Sequence, residues 1–177
     1  MQEKQLKQMV LAALFTALTT VATLVIQIPS PGNGYVNLGD CMVLLSAWVL
    51  GPVGGAAAGG LGSMLADLMT GYAYYAPGTL VIKGAMALTA GLIFHAFAGA
   101  AATSPRALAA RAAGGAAAEA IMVAGYFGYA ALLLGSGLGA AASIPGNLIQ
   151  GAFGLVTALV LAGMLERSGV LKRVWEG

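Results

Sequence analysis

The chain has 177 residues, of which 59% are hydrophobic and 8% are charged, with a formal net charge of +2 and a mean hydropathy of +0.88. Soluble globular domains carry about 25% charged residues, so this composition excludes a soluble fold. Several apolar stretches approach the roughly 20 residues that one transmembrane helix requires. The single cysteine, Cys41, excludes an internal disulfide and does not by itself make a metal site. We therefore expect an all-α membrane protein with one transmembrane domain over residues 1–177.

Prolines divide the apolar sequence into six predicted helices. Proline disfavours a helix interior but suits a helix start or a loop, and the six prolines fall at five breaks in the apolar pattern. The first apolar segment is long for a signal peptide and lacks a clear cleavage site, so we interpret it as a retained span. The predicted helices cover about residues 5–28, 39–50, 53–71, 77–101, 108–134 and 144–168.

The second predicted helix is too short to cross a membrane unaided. About 12 residues at 1.5 Å each reach about 18 Å, against a hydrocarbon core of about 30 Å. Irregular backbone is tolerated at membrane depth only where it packs on protein or lines a cavity. We therefore predict that the preceding loop, at about 29–38, dips toward the membrane or covers a cavity.

The basic residues predict the orientation of the bundle. Cytoplasmic loops carry an excess of Lys and Arg, which places both termini in the cytoplasm. Trp48 and Trp175 are predicted at the cytoplasmic interface, where aromatic rings often anchor a membrane protein. Lys83 is the exception among eight basic residues, and the other seven lie at the predicted cytoplasmic ends: Lys4, Lys7, Arg106, Arg111, Arg167, Lys172 and Arg173.

Polar side chains that a membrane disfavours share one depth in the predicted bundle. Such residues usually face the bundle interior and mark a pathway or a ligand site. Glu119 lies near mid-membrane, with Tyr126 seven residues later on the same helix face. The others lie in the outer half and predict a solute pocket open to the outside: Asp40, Asp67, Lys83, Asn147 and Gln150.

Each of these residues also has a structural interpretation. Asp40 could cap the second helix, and Asp67 could form a buried ion pair with Lys83. A ladder of small residues at every fourth position ends at Asp67 and permits close helix contact. The remaining residues could serve interhelical packing or an aromatic belt: Glu119, Asn147, Gln150, Tyr72, Tyr74 and Tyr75.

No motif in the sequence indicates catalysis or nucleic-acid binding. The chain has no G-x-x-x-x-G-K-[ST] phosphate loop, no HExxH, no GxSxG and no basic nucleic-acid patch. We therefore expect no catalytic residues, no cofactor, no metal and no nucleic-acid partner. An intramembrane enzyme using Asp67 and Glu119 as acid and base, or a structural membrane protein, are the alternatives from other classes.

Residues 34–84, GYVNLGDCMVLLSAWVLGPVGGAAAGGLGSMLADLMTGYAYYAPGTLVIKG, resemble the substrate-binding S components of energy-coupling factor (ECF) transporters. The resemblance is strongest over about 34–95. Within the family, the sequence resembles the branch for pyridoxine-like or hydroxymethylpyrimidine-like compounds. The resemblance implies a protein of the prokaryotic plasma membrane that captures a small vitamin from outside and delivers it to a transmembrane T component and two ATPases. It also implies that Ala13 and Ala17 contact the T component, and that loops at about 29–38 and 71–77 close the pocket.

Tyrosine faces in the expected pocket favour a small heteroaromatic ligand, and one cation disfavours a phosphate. Pantothenate, paired with Lys83, and riboflavin are rival vitamins. Whether Lys83 contacts the ligand or a buried acid stays open at this point. The predicted substrate-binding residues are Asn37, Asp40, Asp67, Tyr72, Tyr74, Tyr75, Lys83, Glu119, Tyr126, Asn147 and Gln150.

Overall fold

The computed structural model describes residues 2–30, 34–98 and 104–171. The elements follow in chain order: helix α1 Gln2–Val25, strands β1 Gln27–Ser30 and β2 Gly34–Asn37, and helices α2 Gly39–Met69, α3 Ala76–Phe97, α4 Pro105–Gly128 and α5 Ile144–Arg167. A π-helical turn at Tyr129–Leu133 and a 3-10 helix at Gly137–Ser143 join α4 to α5. Helix α2 packs against both α1 and α3, and α4 packs against α3 and α5.

The described helices fit a membrane in length and composition. Proline lies in the first turn of α3, α4 and α5, as its fixed φ and missing N–H allow. Ser104 caps α4, because its hydroxyl accepts a hydrogen bond from the Ala107 N–H at 3.1 Å. Five segments are long and apolar enough to span: Glu3–Val25, Gly39–Met69, Ala76–Phe97, Pro105–Leu133 and Gly137–Arg167.

Helix α2 contains a sharp reversal at Gly51, where the sequence predicts a break between two helices. Gly51 has φ 81° and ψ 173°, a backbone conformation that side chains with a Cβ rarely adopt, and Pro52 follows it. A Cβ on Gly59 would fall 3.1 Å from Val43 Cγ1, and the Ser46 hydroxyl donates to the Gly55 carbonyl at 3.3 Å. The arms 39–50 and 52–69 therefore run antiparallel against each other.

The predicted end of the first helix is wrong. Helix α1 ends at Val25 rather than near residue 28, and Gln27–Ser30 pairs antiparallel with Gly34–Asn37, with Ile28 opposite Val36. Pro29 cannot donate a helical hydrogen bond, and β-branched residues suit an extended strand. The loop predicted to dip or cover a cavity is thus a two-stranded ribbon, which the all-α prediction missed.

Trp48 is buried rather than exposed as an interfacial anchor, which corrects the predicted role of this residue. Its ring is 1% exposed and lies 6.5 Å from the Phe94 ring, centroid to centroid. The Arg111 guanidinium lies over both rings and forms a buried ion pair with Glu166. These residues make the core at the end of the bundle opposite the ribbon. The predictions for Lys172, Arg173 and Trp175 lie outside the described residues.

Candidate functional site

A cavity lies beside the ribbon, where the ends of several helices meet. The polar residues predicted to share one depth lie at this end of the bundle. The free volume of the cavity is about 60 Å³, counted as space open to the centre of a water molecule. Its walls come from the ribbon, all five helices and the turns between them, and comprise Thr23, Tyr35, Asn37, Ser63, Asp67, Tyr72, Tyr75, Thr79, Tyr126, Ser143, Asn147 and Gln150.

All six tyrosines of the sequence lie in one continuous cluster at this end of the bundle. The Tyr35 and Tyr72 rings are 5.0 Å apart, centroid to centroid, and Tyr75 lies 6.2 Å from Tyr126. Tyr129 donates a hydrogen bond to the Tyr74 carbonyl at 2.8 Å. Its ring covers Gly78 so closely that a Cβ there would lie 2.6 Å from a ring carbon. The tyrosines thus join the ribbon, the 70–75 turn and α4 over the cavity.

The ribbon contacts α2 through Tyr35, which is not among the predicted binding residues. The Tyr35 hydroxyl donates to Asp67 Oδ1 at 2.8 Å. Burial, and next the neighbouring Asp67 charge, raise the pKa of the Tyr35 phenol above its ordinary value. The phenol therefore stays neutral and remains a hydrogen-bond donor to the carboxylate.

A chain of polar contacts connects Lys83 to the cavity wall. The Lys83 ammonium pairs with Asp40 Oδ1, and both side chains are buried. Asp40 Oδ2 accepts from Gln150 Nε2 at 2.8 Å, and Gln150 Oε1 accepts from the backbone N–H of Asn37 at 2.9 Å and from Asn37 Nδ2 at 3.2 Å. These contacts fix which end of the Gln150 amide faces the acid and which faces the ribbon.

Two structural interpretations of the aspartates are wrong. Lys83 pairs with Asp40, so the Asp67–Lys83 ion pair does not form. Asp40 does not cap α2, since its carboxylate contacts Lys83 and Gln150, and the buried backbone N–H of Gly39 donates instead to Asn37 Oδ1 at 2.7 Å. Lys83 therefore meets a buried acid, and Asp67 is left to face the cavity.

Four of the predicted binding residues lie outside the cavity wall: Asp40, Tyr74, Lys83 and Glu119. Asp40 and Lys83 lie behind Gln150, and Tyr74 is 49% exposed on the outer side of the tyrosine cluster. Glu119 is 8% exposed, and its carboxyl lies beside that of Asp40 and against Gly151. Neither Glu119 oxygen has a hydrogen-bond donor within the part of the chain that the structure describes.

The structure adds hydroxyl groups that the sequence analysis overlooked. Thr79 accepts a hydrogen bond from the Tyr126 hydroxyl at 3.1 Å. Ser63 belongs to the ladder of small residues that ends at Asp67, yet its side chain faces the cavity one helical turn before Asp67. Their spacing to Lys83 and Asp67, four residues in each case, is a signal that could have identified them. The added wall residues are Thr23, Tyr35, Ser63, Thr79 and Ser143.

Ala13 and Ala17 lie on the exposed side of α1, away from the cavity. The same helix exposes large apolar side chains such as Val10, Leu14 and Leu18. The helix therefore presents a long apolar surface with two small residues within it. Such a surface suits lipid or close contact with another helix.

Comparison with known proteins identifies the family. Residues 3–167 match the family described as ECF-type riboflavin transporter, S component. A protein of Pyrococcus woesei, described as an uncharacterized protein in the gap 3' region, is 38% identical over 149 residues, covering 84% of this chain and 94% of the relative. The thiamine precursor transporter HmpT of Lactococcus lactis subsp. cremoris (strain MG1363) is 30% identical over 173 residues, covering 97% of this chain and 95% of the relative.

The fold is also that of a solved S component. The S component of a bacterial ECF transporter superposes with a TM-score of 0.67 at 20% identity, covering 92% of this chain and 97% of that chain. Both the sequence match and the fold extend over nearly all of the described residues. The chain therefore belongs to the ECF-type riboflavin transporter S-component family, whose members are substrate-binding membrane subunits and not enzymes.

Proposed function

We propose that this S component captures a hydroxymethylpyrimidine-like thiamine precursor in the cavity beside the ribbon. The similarity to a thiamine precursor transporter over almost the whole chain supports this substrate class. Pyridoxine itself is of similar size, but it lacks the amino group that an acidic cavity would favour. The observation that carries the proposal is a small cavity walled by tyrosines. Among the described residues of its wall, Asp67 is the one with a charged side chain.

The cavity has the size of a single-ring compound. One water needs about 10–15 Å³ of space for its centre and takes up about 30 Å³ in the liquid. The 60 Å³ of free space therefore corresponds to about four to six waters, or roughly 120–180 Å³ of ligand. A substituted pyrimidine fits this volume, whereas the three fused rings and polyhydroxyl chain of riboflavin would require the walls to move apart.

The charge of the wall disfavours an anionic ligand. Asp67 is acidic, and no Lys or Arg of the described ranges lines the cavity. Lys83, which could otherwise pair with the carboxylate of pantothenate, is already paired with Asp40. A neutral or weakly basic heteroaromatic ring, stacked on tyrosine faces and hydrogen-bonded at its edge, suits the wall better.

Delivery across the membrane would use other subunits. In this proposal the chain spans the plasma membrane six times, with the two arms of α2 as separate crossings and both termini in the cytoplasm. The cavity then opens outward, since Arg106 and Arg111 lie at the opposite end of α4 from Tyr126. Ala13 and Ala17 would contact the T component, and two ATPase subunits would supply the energy.

Calorimetry with the purified full chain in lipid nanodiscs tests the substrate class. We expect saturable binding of hydroxymethylpyrimidine that is at least about a hundredfold tighter than binding of riboflavin or pantothenate. Native mass spectrometry of the same sample checks that one ligand binds per chain. Tighter binding of riboflavin, or absence of hydroxymethylpyrimidine binding at millimolar concentration, would overturn the proposal.

A further inference from the structure

The second arm of α2 presents to the cavity two buried polar atoms, Ser63 Oγ and Asp67 Oδ2, that have no hydrogen-bond partner among the described residues. Ser63 and Asp67 lie four residues apart, so they share one face of the helix. Ser63 is 2% exposed and Asp67 is 6% exposed. Within the described ranges, Ser63 Oγ and Asp67 Oδ2 form no hydrogen bond. Buried polar atoms in folded proteins are nearly always paired, so two unpaired atoms on one cavity wall indicate a partner that binds there.

Neighbouring contacts hold both groups in place. Tyr35 occupies Asp67 Oδ1, which orients the carboxylate and leaves Oδ2 to accept from elsewhere. The Thr79 hydroxyl lies beside this carboxyl, but each carboxylate oxygen can accept more than one hydrogen bond. The helix itself is locked against α1, since Thr20 donates to the Gly62 carbonyl at 2.9 Å. A Cβ on Gly62 would lie 2.6 Å from the Thr16 carbonyl oxygen, so the packing leaves no room for rotation.

The two groups differ in what they can exchange with a ligand. An ionised carboxylate only accepts hydrogen bonds, whereas a serine hydroxyl can donate one. On an aminopyrimidine, the exocyclic amino group is a donor and the adjacent ring nitrogen is an acceptor. We propose that Ser63 and Asp67 form an amine-reading pair, in which Asp67 Oδ2 accepts from the ring amino group and Ser63 donates to the neighbouring ring nitrogen.

This inference rests on the proposed function and sharpens it into a rule for specificity. Replacing the amino group by an oxo group would place a carbonyl oxygen against Asp67 Oδ2, so that two acceptors face each other. The oxo form also carries a proton on the adjacent ring nitrogen, so Ser63 would accept a hydrogen bond there instead of donating one, and the repulsion at Asp67 Oδ2 is what separates the two forms. A site that hydrogen-bonds a polar group of its ligand strongly rejects analogues without that group, because the buried partners in the site are then left unpaired.

Calorimetry with three matched ligands tests the pair: hydroxymethylpyrimidine, its oxo analogue and its analogue with hydrogen in place of the amino group. We expect the wild-type chain to bind both analogues at least about a hundredfold more weakly. In Asp67→Asn, the ratio of the dissociation constants of the oxo and amino forms should fall at least about tenfold, because an amide can donate to the oxo group. Ser63→Ala should weaken binding of the amino form about tenfold.

Matched controls separate the pair from general damage. Ser46→Ala removes a hydroxyl from the first arm of the same helix, and Glu119→Gln changes an acid to an amide outside the cavity wall. Neither should change the preference between amino and oxo ligands. The ligand series on wild-type protein keeps the test decisive even where a variant does not fold.

The outcomes distinguish this inference from the function on which it rests. Equal binding of the amino and oxo forms by the wild type, or an unchanged preference in a folded Asp67→Asn variant, would overturn the amine-reading pair and leave the substrate class standing. Absence of binding for all three ligands would overturn both.

Discussion

The part of the bundle that the structure describes contains two buried ion pairs, one at each end, and they differ in what surrounds them. At the end of the bundle opposite the ribbon, which is the inner end in the proposed orientation, Arg111 pairs with Glu166, and its guanidinium lies over the rings of Trp48 and Phe94. At the ribbon end, Lys83 pairs with Asp40, whose second oxygen continues through Gln150 to the cavity wall. The first pair is covered by aromatic side chains, whereas the second is connected to the cavity wall.

One kind of interaction, a buried ion pair, therefore has two different consequences in this fold. A buried ion pair is expensive to desolvate and is weak evidence of stabilisation by itself. The inner pair joins α4 to α5, and the aromatic rings that cover it are side chains of the protein core. The outer pair instead determines how the Gln150 amide is oriented, because Asp40 accepts from its Nε2 while Asn37 donates to its Oε1. We therefore expect the inner pair to affect stability alone and the outer pair to affect stability and binding together.

The largest effect on stability is expected for Arg111→Met. It leaves the Glu166 carboxylate buried without its cation, which for a broken buried pair costs about 3–5 kcal/mol. Unfolding of the purified protein in mixed micelles measures the loss, and Arg167→Met, at an exposed position, is the matched control. The fraction that stays folded should bind hydroxymethylpyrimidine with the wild-type dissociation constant. A clear loss of affinity in that fraction would break the proposed division between the two ends.

A smaller loss of stability combined with a loss of affinity is expected for Lys83→Met, which keeps an apolar side chain of similar length. Asp40 then lacks its cation, and the orientation of the Gln150 amide is no longer fixed, so affinity should fall at least about tenfold. Gln150→Leu should lose a similar amount of affinity with less loss of stability. If Lys83→Met destabilises the protein while its folded fraction binds normally, the outer pair is as purely structural as the inner one.

The smallest effect on the isolated protein is expected for Ala13→Leu and Ala17→Leu. Both residues are exposed on α1 and distant from either ion pair, so ligand affinity and unfolding should stay at wild-type values. Uptake of radiolabelled ligand by cells that also produce the partner subunits should fall strongly, because bulky side chains prevent close helix contact. Ala113→Leu, at an exposed position of α4, is the matched control. Normal uptake by both α1 variants would contradict a role for this surface in coupling.

Several features of the fold could be predicted because their causes are local. A proline or a glycine with positive φ interrupts a helix wherever it occurs, so the break at Gly51 and Pro52 and the starts at Pro77 and Pro145 are visible in the sequence. The ribbon was missed because its pairing is not local. Ile28 and Val36 are apolar residues that suit a helix end as well as a strand, and only their antiparallel register identifies them as strands.

The sequence predicts those residues of the cavity wall whose polar side chains are unfavourable in an apolar membrane helix. Asp67, Asn147 and Gln150 are costly in an apolar helix and therefore attract notice. Ser63 and Thr79 are not, because small hydroxyl residues are common wherever membrane helices pack, and most of them face a neighbouring backbone. Only the arrangement of the helices shows that these two hydroxyls face a cavity.

The depth of each polar residue along its helix could be predicted from the sequence, since a helix advances 1.5 Å per residue whatever surrounds it. The sequence therefore placed Lys83, Asp40 and Asp67 at one end of the bundle. The tertiary structure alone decided which acid meets the lysine, because that choice depends on the rotation of each helix and on the antiparallel packing of the two α2 arms. Asp40 faces Lys83 from the first arm, and Asp67 on the second arm meets Tyr35 and the cavity. Two aspartates of similar depth thereby acquire different surroundings, one paired with a cation and one facing the cavity.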